Sequence, residues 1–431
     1  MKVALIGNMN NNFFAITRYL RDRGVDAHLF LLGEHQHFKP SADTFSDSYL
    51  NFVHETQWIE NGFFNNDSNN QELIRRDLEG FDATVGCGYA PFFLARAGLS
   101  LDLFLPYGSD LYEVPFTSLT NIQSLLFKGL FWFDSAYRAL SSKDAMMHVL
   151  RKVGLSSLAT SYRQYKLARY QTIGIKSTKH IISQGAGDNF KQYMDKLVPS
   201  SRVNKSPIPC LYLCQTPPVK PSIAEQRIQQ IRADFDVIIF HHARHSWENA
   251  ANPESNKRND ILINGLHQYL QTPHAKSVAL VTLEYGPDVP SSKKLINALE
   301  LNRNVFWFPM LERREILRLI PYADIGAVDF GMSWISGGVL YEFMSCEKPI
   351  LQYRNDELYT EQYPDLYPIL NVHESDDVCA ALERYAASPS MFKQLGIQAH
   401  AWFQVYVIEK PIKLIIQKIE QSISLNRDSR R

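Results

Sequence analysis

The most chemically pointed cluster in the chain is Ser336-Gly337-Gly338-Val339-Leu340-Tyr341-Glu342, a glycine pair followed by a carboxylate. Val339, Leu340, Phe343 and Met344 share one helical face suited to packing on a sheet, while Gly338 and Glu342 share another near the helix start. Successive glycines let a ligand come close to the backbone, and the unpaired amides at a helix N-terminus attract an anion such as a diphosphate. A carboxylate one turn further on, aimed at a cleft, can accept hydrogen bonds from ribose hydroxyls. The competing explanation is plainer: the glycines only permit tight packing, and Glu342 is a solvated helix residue.

Two further groups could do chemistry. Pro106-Tyr107-Gly108-Ser109-Asp110 follows a short apolar run, at the kind of strand end where open α/β sheets place ligand groups. Asp110 is eligible there as a general base toward an acceptor hydroxyl, and equally as an Asx turn or helix cap. His241, His242 and His245 gather at another strand end; with no carboxylate pattern beside them they are expected to line a cleft, and no metal is expected.

These residues need a scaffold, and the apolar runs supply it. Val3 to Ile6, an Asn-rich loop (Asn8, Asn10, Asn11, Asn12), a helical stretch from Phe13 to Arg23 closed by Gly24, and a second run Ala27–Leu32 make one βαβ unit. The loop lacks G-x-G-x-x-G spacing, so no dinucleotide signature is present, and Asn10 is expected on the acceptor side. Short runs at 81–86, 101–106 and 178–183 continue the first series. A second series runs through 236–240, 277–281, 305–308, 325–328 and 349–353, the last strand expected. Prolines at 199, 207, 209, 217, 218 and 221 break regular structure between them. A chain of 431 residues exceeds one ordinary core. The expectation is an α/β protein of two domains, 1–205 and 220–400, with a helical stretch 402–425 rejoining the first.

Composition removes several classes. Lys+Arg and Asp+Glu balance at 45 each, against an overall nucleic-acid-binding field. The five cysteines form no C-x-x-C pair and read as reduced cytosolic thiols. The start of the chain reads as a buried strand rather than a signal peptide, and no apolar window is long enough to span a membrane. The stretch 121–170 mixes aliphatic and aromatic bulk (Leu125–Phe133) with bases such as Arg151, Lys152, Arg163, Lys166 and Arg169. It suits either an amphipathic core helix or a helix docked on anionic lipid.

The segment from Pro321 to Pro349, with Tyr341-Glu342-Phe343-Met344-Ser345 and Lys348-Pro349-Ile350, resembles the C-terminal domain of family-4-like glycosyltransferases, whose helix reads roughly L-E-A-M-A-x-G-x-P-V. Ala243-Arg244 followed by Asn256-Lys257-Arg258-Asn259-Asp260-Ile261-Leu262-Ile263 is similar to the family's G-R and K-G-x-D-x-L-I, and Tyr107-Gly108-Ser109-Asp110 to an H-G-x-D-like turn. The resemblance implies the GT-B architecture, two Rossmann-like domains with parallel sheets facing across a cleft. It also implies a UDP- or GDP-linked sugar donor as substrate with no separate cofactor, and a glycan or lipid-linked acceptor. Arg244, Lys257, Gly337 and Gly338 would hold the donor diphosphate, Glu342 the ribose, and Asp110 the acceptor proton. Asn10, Tyr107, His242, Ser333, Trp334, Ser336 and Val339 would line the cleft. Trp334 stands where the family usually has a Glu that contacts the donor sugar, and the loop from Arg244 to Lys257 is longer than usual. A cytoplasmic glycosyltransferase, peripheral at the inner face of the membrane, is the leading expectation. A sugar-nucleotide 2-epimerase of the same fold and a non-enzymatic two-domain ligand-binding protein are the alternatives.

Overall fold

The computed structural model describes residues 1–33, 39–59, 69–116, 121–141, 145–183, 188–199, 202–213, 217–250 and 255–428. The chain divides into two compact units, one of residues 1–39, 47–212 and 410–431, the other of 40–46 and 213–409. Each is built on its own parallel sheet.

In the first unit the described strands are β1 (Lys2–Ile6), β2 (Asp26–Leu31), β3 (Val53–Glu55), β4 (Ala83–Gly86), β5 (Leu103–Phe104), β6 (His180–Ser183) and β7 (Val203–Lys205). They lie in the order β3-β2-β1-β4-β5-β6-β7, all parallel. The second unit carries β8 (Val237–His241), β9 (Val278–Leu283), β10 (Val305–Phe308), β11 (Ile325–Ala327), β12 (Ile350–Gln352) and β13 (Leu370–Asn371), in the order β10-β9-β8-β11-β12-β13, again all parallel. Every residue of β8 and β9 is buried, as expected of strands covered by helices on both faces. Ile239, Leu280, Ile325 and Leu351 meet Leu262, Leu266, Val378 and Leu382 of the covering helices in one core. In each sheet the strand order reverses beside its first strand, between β1 and β4 and between β8 and β11, which are the positions where such folds open a crevice for ligands.

The central strands lie where the apolar runs placed them. The edge strands β3, β7 and β13 were not expected, because an edge position needs no continuous apolar run and they carry polar residues such as His54, Asn204 and Asn371. The stretch 121–170 becomes helices Asn121–Ser141, Ala145–Lys152 and the start of Ser156–Ser177, closed on a small core of Phe127, Leu150, Ala159, Tyr162 and Tyr165.

The unit boundaries depart from the linear expectation twice. The C-terminal return begins at Lys410, not 402, because Trp402 packs against Tyr363, Tyr367 and Tyr406 inside the second unit. Residues 40–46, early in the sequence, belong to the second unit, where Asp43, Thr44 and Phe45 engage the helix Arg313–Leu319. Cys87, Cys210, Cys346 and Cys379 are free thiols; Cys214 lies outside the described residues.

Candidate functional site

At the C-terminal ends of β8, β11 and β12 the second unit holds a cavity of about 280 Å³. Ala243 follows β8, Val328 and Asp329 follow β11, Gln352 ends β12, and all four reach the cavity wall. The rest of the wall is the start of the helix Gly338–Ser345, through Ser336, Gly337, Gly338, Val339 and Leu340, together with Trp334 and Lys257. Six residues picked out from the sequence are thus brought to one place: Lys257, Trp334, Ser336, Gly337, Gly338 and Val339.

The helix start is open. Gly337 is its N-cap residue in extended backbone, and its side-chain-free position leaves the first-turn amides without a side-chain cap. A methyl group built on Gly337 would meet nothing within 4 Å, so this glycine is not there to permit protein packing. Gly331 is: a Cβ there would sit 2.0 Å from the Asn256 carbonyl oxygen. That close approach seats the loop carrying Lys257 against the loop carrying Asp329, and Lys257 Nζ lies 2.5 Å from Asp329 Oδ2. Asp329 Oδ1 accepts from the Gly331 amide at 3.0 Å. Asp329 was not singled out from the sequence. Its signal is positional, a carboxylate just past the end of a central parallel strand.

Arg244 sits one residue beyond the cavity-lining Ala243, half-buried, and its guanidinium pairs with no acidic side chain among the described residues. The neighbouring histidines are internal. His241 Nδ1 donates to the Ala327 carbonyl at 3.0 Å and Nε2 accepts from Asn259 Nδ2 at 2.8 Å; burial lowers its pKa to about 4. His245 lies between the hydroxyls of Ser292 and Thr282, both at 2.9 Å, and burial lowers it to about 3. Among the described residues no group of three or more His, Cys, Asp or Glu side chains is arranged to hold a metal ion.

Three expectations need correction. Glu342 is not aimed at an opening: it is 4% exposed and does not line the cavity. Its helix face turns toward β8, where His242 Nε2 donates to Oε2 at 2.5 Å, and Arg313 Nε donates to Oε1 at 2.7 Å. These donors hold the carboxyl below its ordinary range against the opposing effect of burial. His242 is buried by that pairing and does not reach the cavity wall. Ser333 lies behind the wall, its Oγ accepting from the Asn355 amide at 2.9 Å and its carbonyl from Tyr359 Oη at 2.6 Å.

In the first unit Asn10, Tyr107 and Asp110 all follow strand C-termini, those of β1 and β5. Asp110 is 1% exposed, and its carboxylate accepts from the amides of Gly88 at 2.9 Å, Gly108 at 2.9 Å and Tyr107 at 3.1 Å. Burial pushes its pKa up to about 7 against the pull of those amides. The geometry is the turn-holding alternative, with both oxygens turned inward. Asn10 has left-handed backbone (φ 51°), which asparagine tolerates.

No protein-family model and no curated protein matches the chain. Solved structures do. The Anabaena protein HepE in complex with UDP superposes with a TM-score of 0.56 at 14% identity, covering 98% of this chain and 100% of that one. A glycosyltransferase from Rickettsia africae gives 0.56 at 10% identity over 98% and 99% of the two chains. The sucrose-phosphate synthase of Thermosynechococcus elongatus gives 0.55 at 13% identity over 99% and 100%. The chain therefore has the GT-B fold, two Rossmann-like units each on a parallel sheet.

Proposed function

We propose that the protein is a glycosyltransferase that moves a sugar from a nucleoside-diphosphate donor, UDP- or GDP-linked, to an acceptor hydroxyl in glycan or glycoconjugate synthesis. The observation that carries this is the open, glycine-bearing start of the helix Gly338–Ser345, sharing one cavity with the Lys257 ammonium at the switch point of the second sheet. Amides, helix dipole and cation converge there on the charge that a departing diphosphate develops, and such preorganised donors lower the barrier to its departure. Arg244, adjacent and without an acidic partner among the described residues, adds a second cation. HepE, of the same fold, was crystallised with UDP, which supports a uridine nucleotide as the first donor to try.

Glu342, buried between His242 and Arg313, serves the site from behind by holding the helix Gly338–Ser345 in place. Asn10 and Tyr107 serve the acceptor side. Asp110 shapes the turn that presents Tyr107 and is not the base. A lipid-linked acceptor at the inner face of the membrane is supported by Leu125, Trp132, Val153 and Leu155, exposed at 71%, 74%, 61% and 48%, beside the exposed bases Lys128, Arg151 and Lys152. Among the described residues no helix is long and apolar enough to cross a membrane.

The test is to incubate the full chain with a panel of UDP- and GDP-sugars, with and without lipid-linked glycan acceptors, and follow the donor by NMR. Acceptor-dependent release of nucleoside diphosphate is expected. Isomerisation of the donor at C2 without acceptor would make it an epimerase. No binding and no conversion of any donor would overturn the proposal.

A further inference from the structure

Three successive carbonyls of the loop that leads into the helix Gly338–Ser345 are each held by a side chain. Tyr359 Oη donates to the Ser333 carbonyl at 2.6 Å, Gln352 Nε2 to the Trp334 carbonyl at 2.5 Å, and Tyr367 Oη to the Ile335 carbonyl at 3.1 Å. The backbone that presents Trp334 is thereby fixed before any ligand arrives, and a site fixed in advance loses little freedom on binding. Trp334 and Gln352 both stand in the wall of the cavity, with Ser336, Gly337 and Gly338 of the helix start.

Each of these two side chains carries a polar atom, shielded from bulk water, that no described residue satisfies. Gln352 is 0% exposed; its Nε2 is committed to the Trp334 carbonyl, and its Oε1 has no hydrogen-bond partner among the described residues. The indole Nε1 of Trp334 is buried and likewise has none. Folding ordinarily matches such groups, because an unmatched one gives up its water and gains nothing in return. The two residues are neutral, and the charged residues of the cavity wall, Lys257 and Asp329, pair with each other. One open acceptor and one open donor call for an uncharged partner that both gives and takes hydrogen bonds. Hydroxyl groups do this, whereas an ionised phosphate only accepts. We propose that Gln352, together with the indole of Trp334, forms the subsite that selects the sugar of the donor: Gln352 Oε1 accepts from a sugar hydroxyl, and Trp334 Nε1 donates to a sugar oxygen. This rests on the donor site proposed above and deepens it, with the helix amides and Lys257 on the diphosphate and the neutral pair on the group attached to it. A site built to hydrogen-bond a hydroxyl rejects analogues without one, because its buried atoms are then left unpaired.

The experiment is calorimetric titration of the full chain with UDP, UDP-glucose, UDP-galactose, UDP-N-acetylglucosamine, GDP and GDP-mannose, read as the ratio of each nucleotide sugar's affinity to that of its nucleoside diphosphate. In wild type at least one sugar raises the affinity about tenfold over its diphosphate. Trp334→Phe keeps an aromatic ring and the backbone carbonyl that Gln352 holds, and removes the indole N–H. It lowers that ratio about fivefold, the loss of one neutral hydrogen bond, while the diphosphate itself binds within about twofold of wild type. The free protein melts no lower than wild type, because the deleted donor had no partner; a purely structural indole would lower the melting temperature and leave the ratio alone. Gln352→Met removes the acceptor and lowers the same ratio, and Trp334→Phe carries the test alone should Gln352→Met not fold. A ratio unchanged in Trp334→Phe overturns the sugar subsite while the donor site stands. So does an equal loss for sugar and diphosphate, which would put the pair on the nucleotide, and so does a wild type that binds no nucleotide sugar more tightly than its diphosphate. Failure of wild type to bind any of these compounds overturns the donor site itself.

Discussion

Replacing Lys257 with alanine should weaken nucleoside-diphosphate binding by about 2 kcal/mol, roughly thirtyfold. Two unit charges about 4 Å apart at an effective dielectric of about 20 interact by about 4 kcal/mol. Lys257 does not deliver that in full, because its Nζ already faces Asp329 at 2.5 Å and its side chain is 21% exposed; about half is a reasonable net share. The substitution also strands Asp329, whose side chain is 7% exposed, facing the incoming phosphates. A second change, Asp329→Asn, therefore should restore part of the lost affinity in the Lys257→Ala background, since it removes the stranded charge while the amide oxygen it leaves can still accept from the Gly331 amide. Calorimetry of wild type, both single variants and the double variant with UDP measures the coupling directly. Lys257→Ala binding within about twofold of wild type, with no rescue in the double variant, would refute the argument that this cation meets the diphosphate.

Three other outcomes follow from the packing. Gly331→Ala puts a methyl 2.0 Å from the Asn256 carbonyl, so thermal melting should show a loss of about 1–3 kcal/mol and UDP affinity should fall as Lys257 is displaced. Asp110→Asn replaces the acceptor of the Gly88 amide with a donor; urea unfolding should show a loss of about 1–3 kcal/mol, and turnover per folded molecule should stay far above the hundredfold or greater loss of a missing base. His241 and His245 are held neutral by burial, with folded pKa values of about 4 and about 3 below the ordinary 6.5. Since the folded values are depressed, the unfolded chain takes up protons first as pH falls. Their contribution is intact above about 6.5 and lost downward from there, about 2 kcal/mol each by pH 5, read as a falling melting temperature that His245→Asn should blunt.

The sequence makes the central strands and the helix of Glu342 plain because each is an apolar run or face long enough to read without its neighbours. The same reasoning fails at β3, β7 and β13, whose few residues pair only on one side and carry no apolar signature. At the site, glycines and a cation were legible as chemistry, and the cavity gathers Lys257, Gly337 and Gly338. What could not be read were partners chosen by the third dimension. Nothing local tells that Glu342 faces His242, or that Arg313 completes its shell. Still less does it show Asp43 joining the second unit across 270 positions to the same arginine. Asp110 shows the limit differently: its two candidate roles needed the same strand-end position, and only the three amides around its oxygens separate them.

The most direct measurement is a crystal structure of the full chain with UDP. The account places the diphosphate in the 280 Å³ cavity, with phosphate oxygens within hydrogen-bonding distance of the first-turn amides at Gly338 and Val339 and of Lys257 Nζ. UDP bound elsewhere on the molecule, with that helix start still open to solvent, would contradict it.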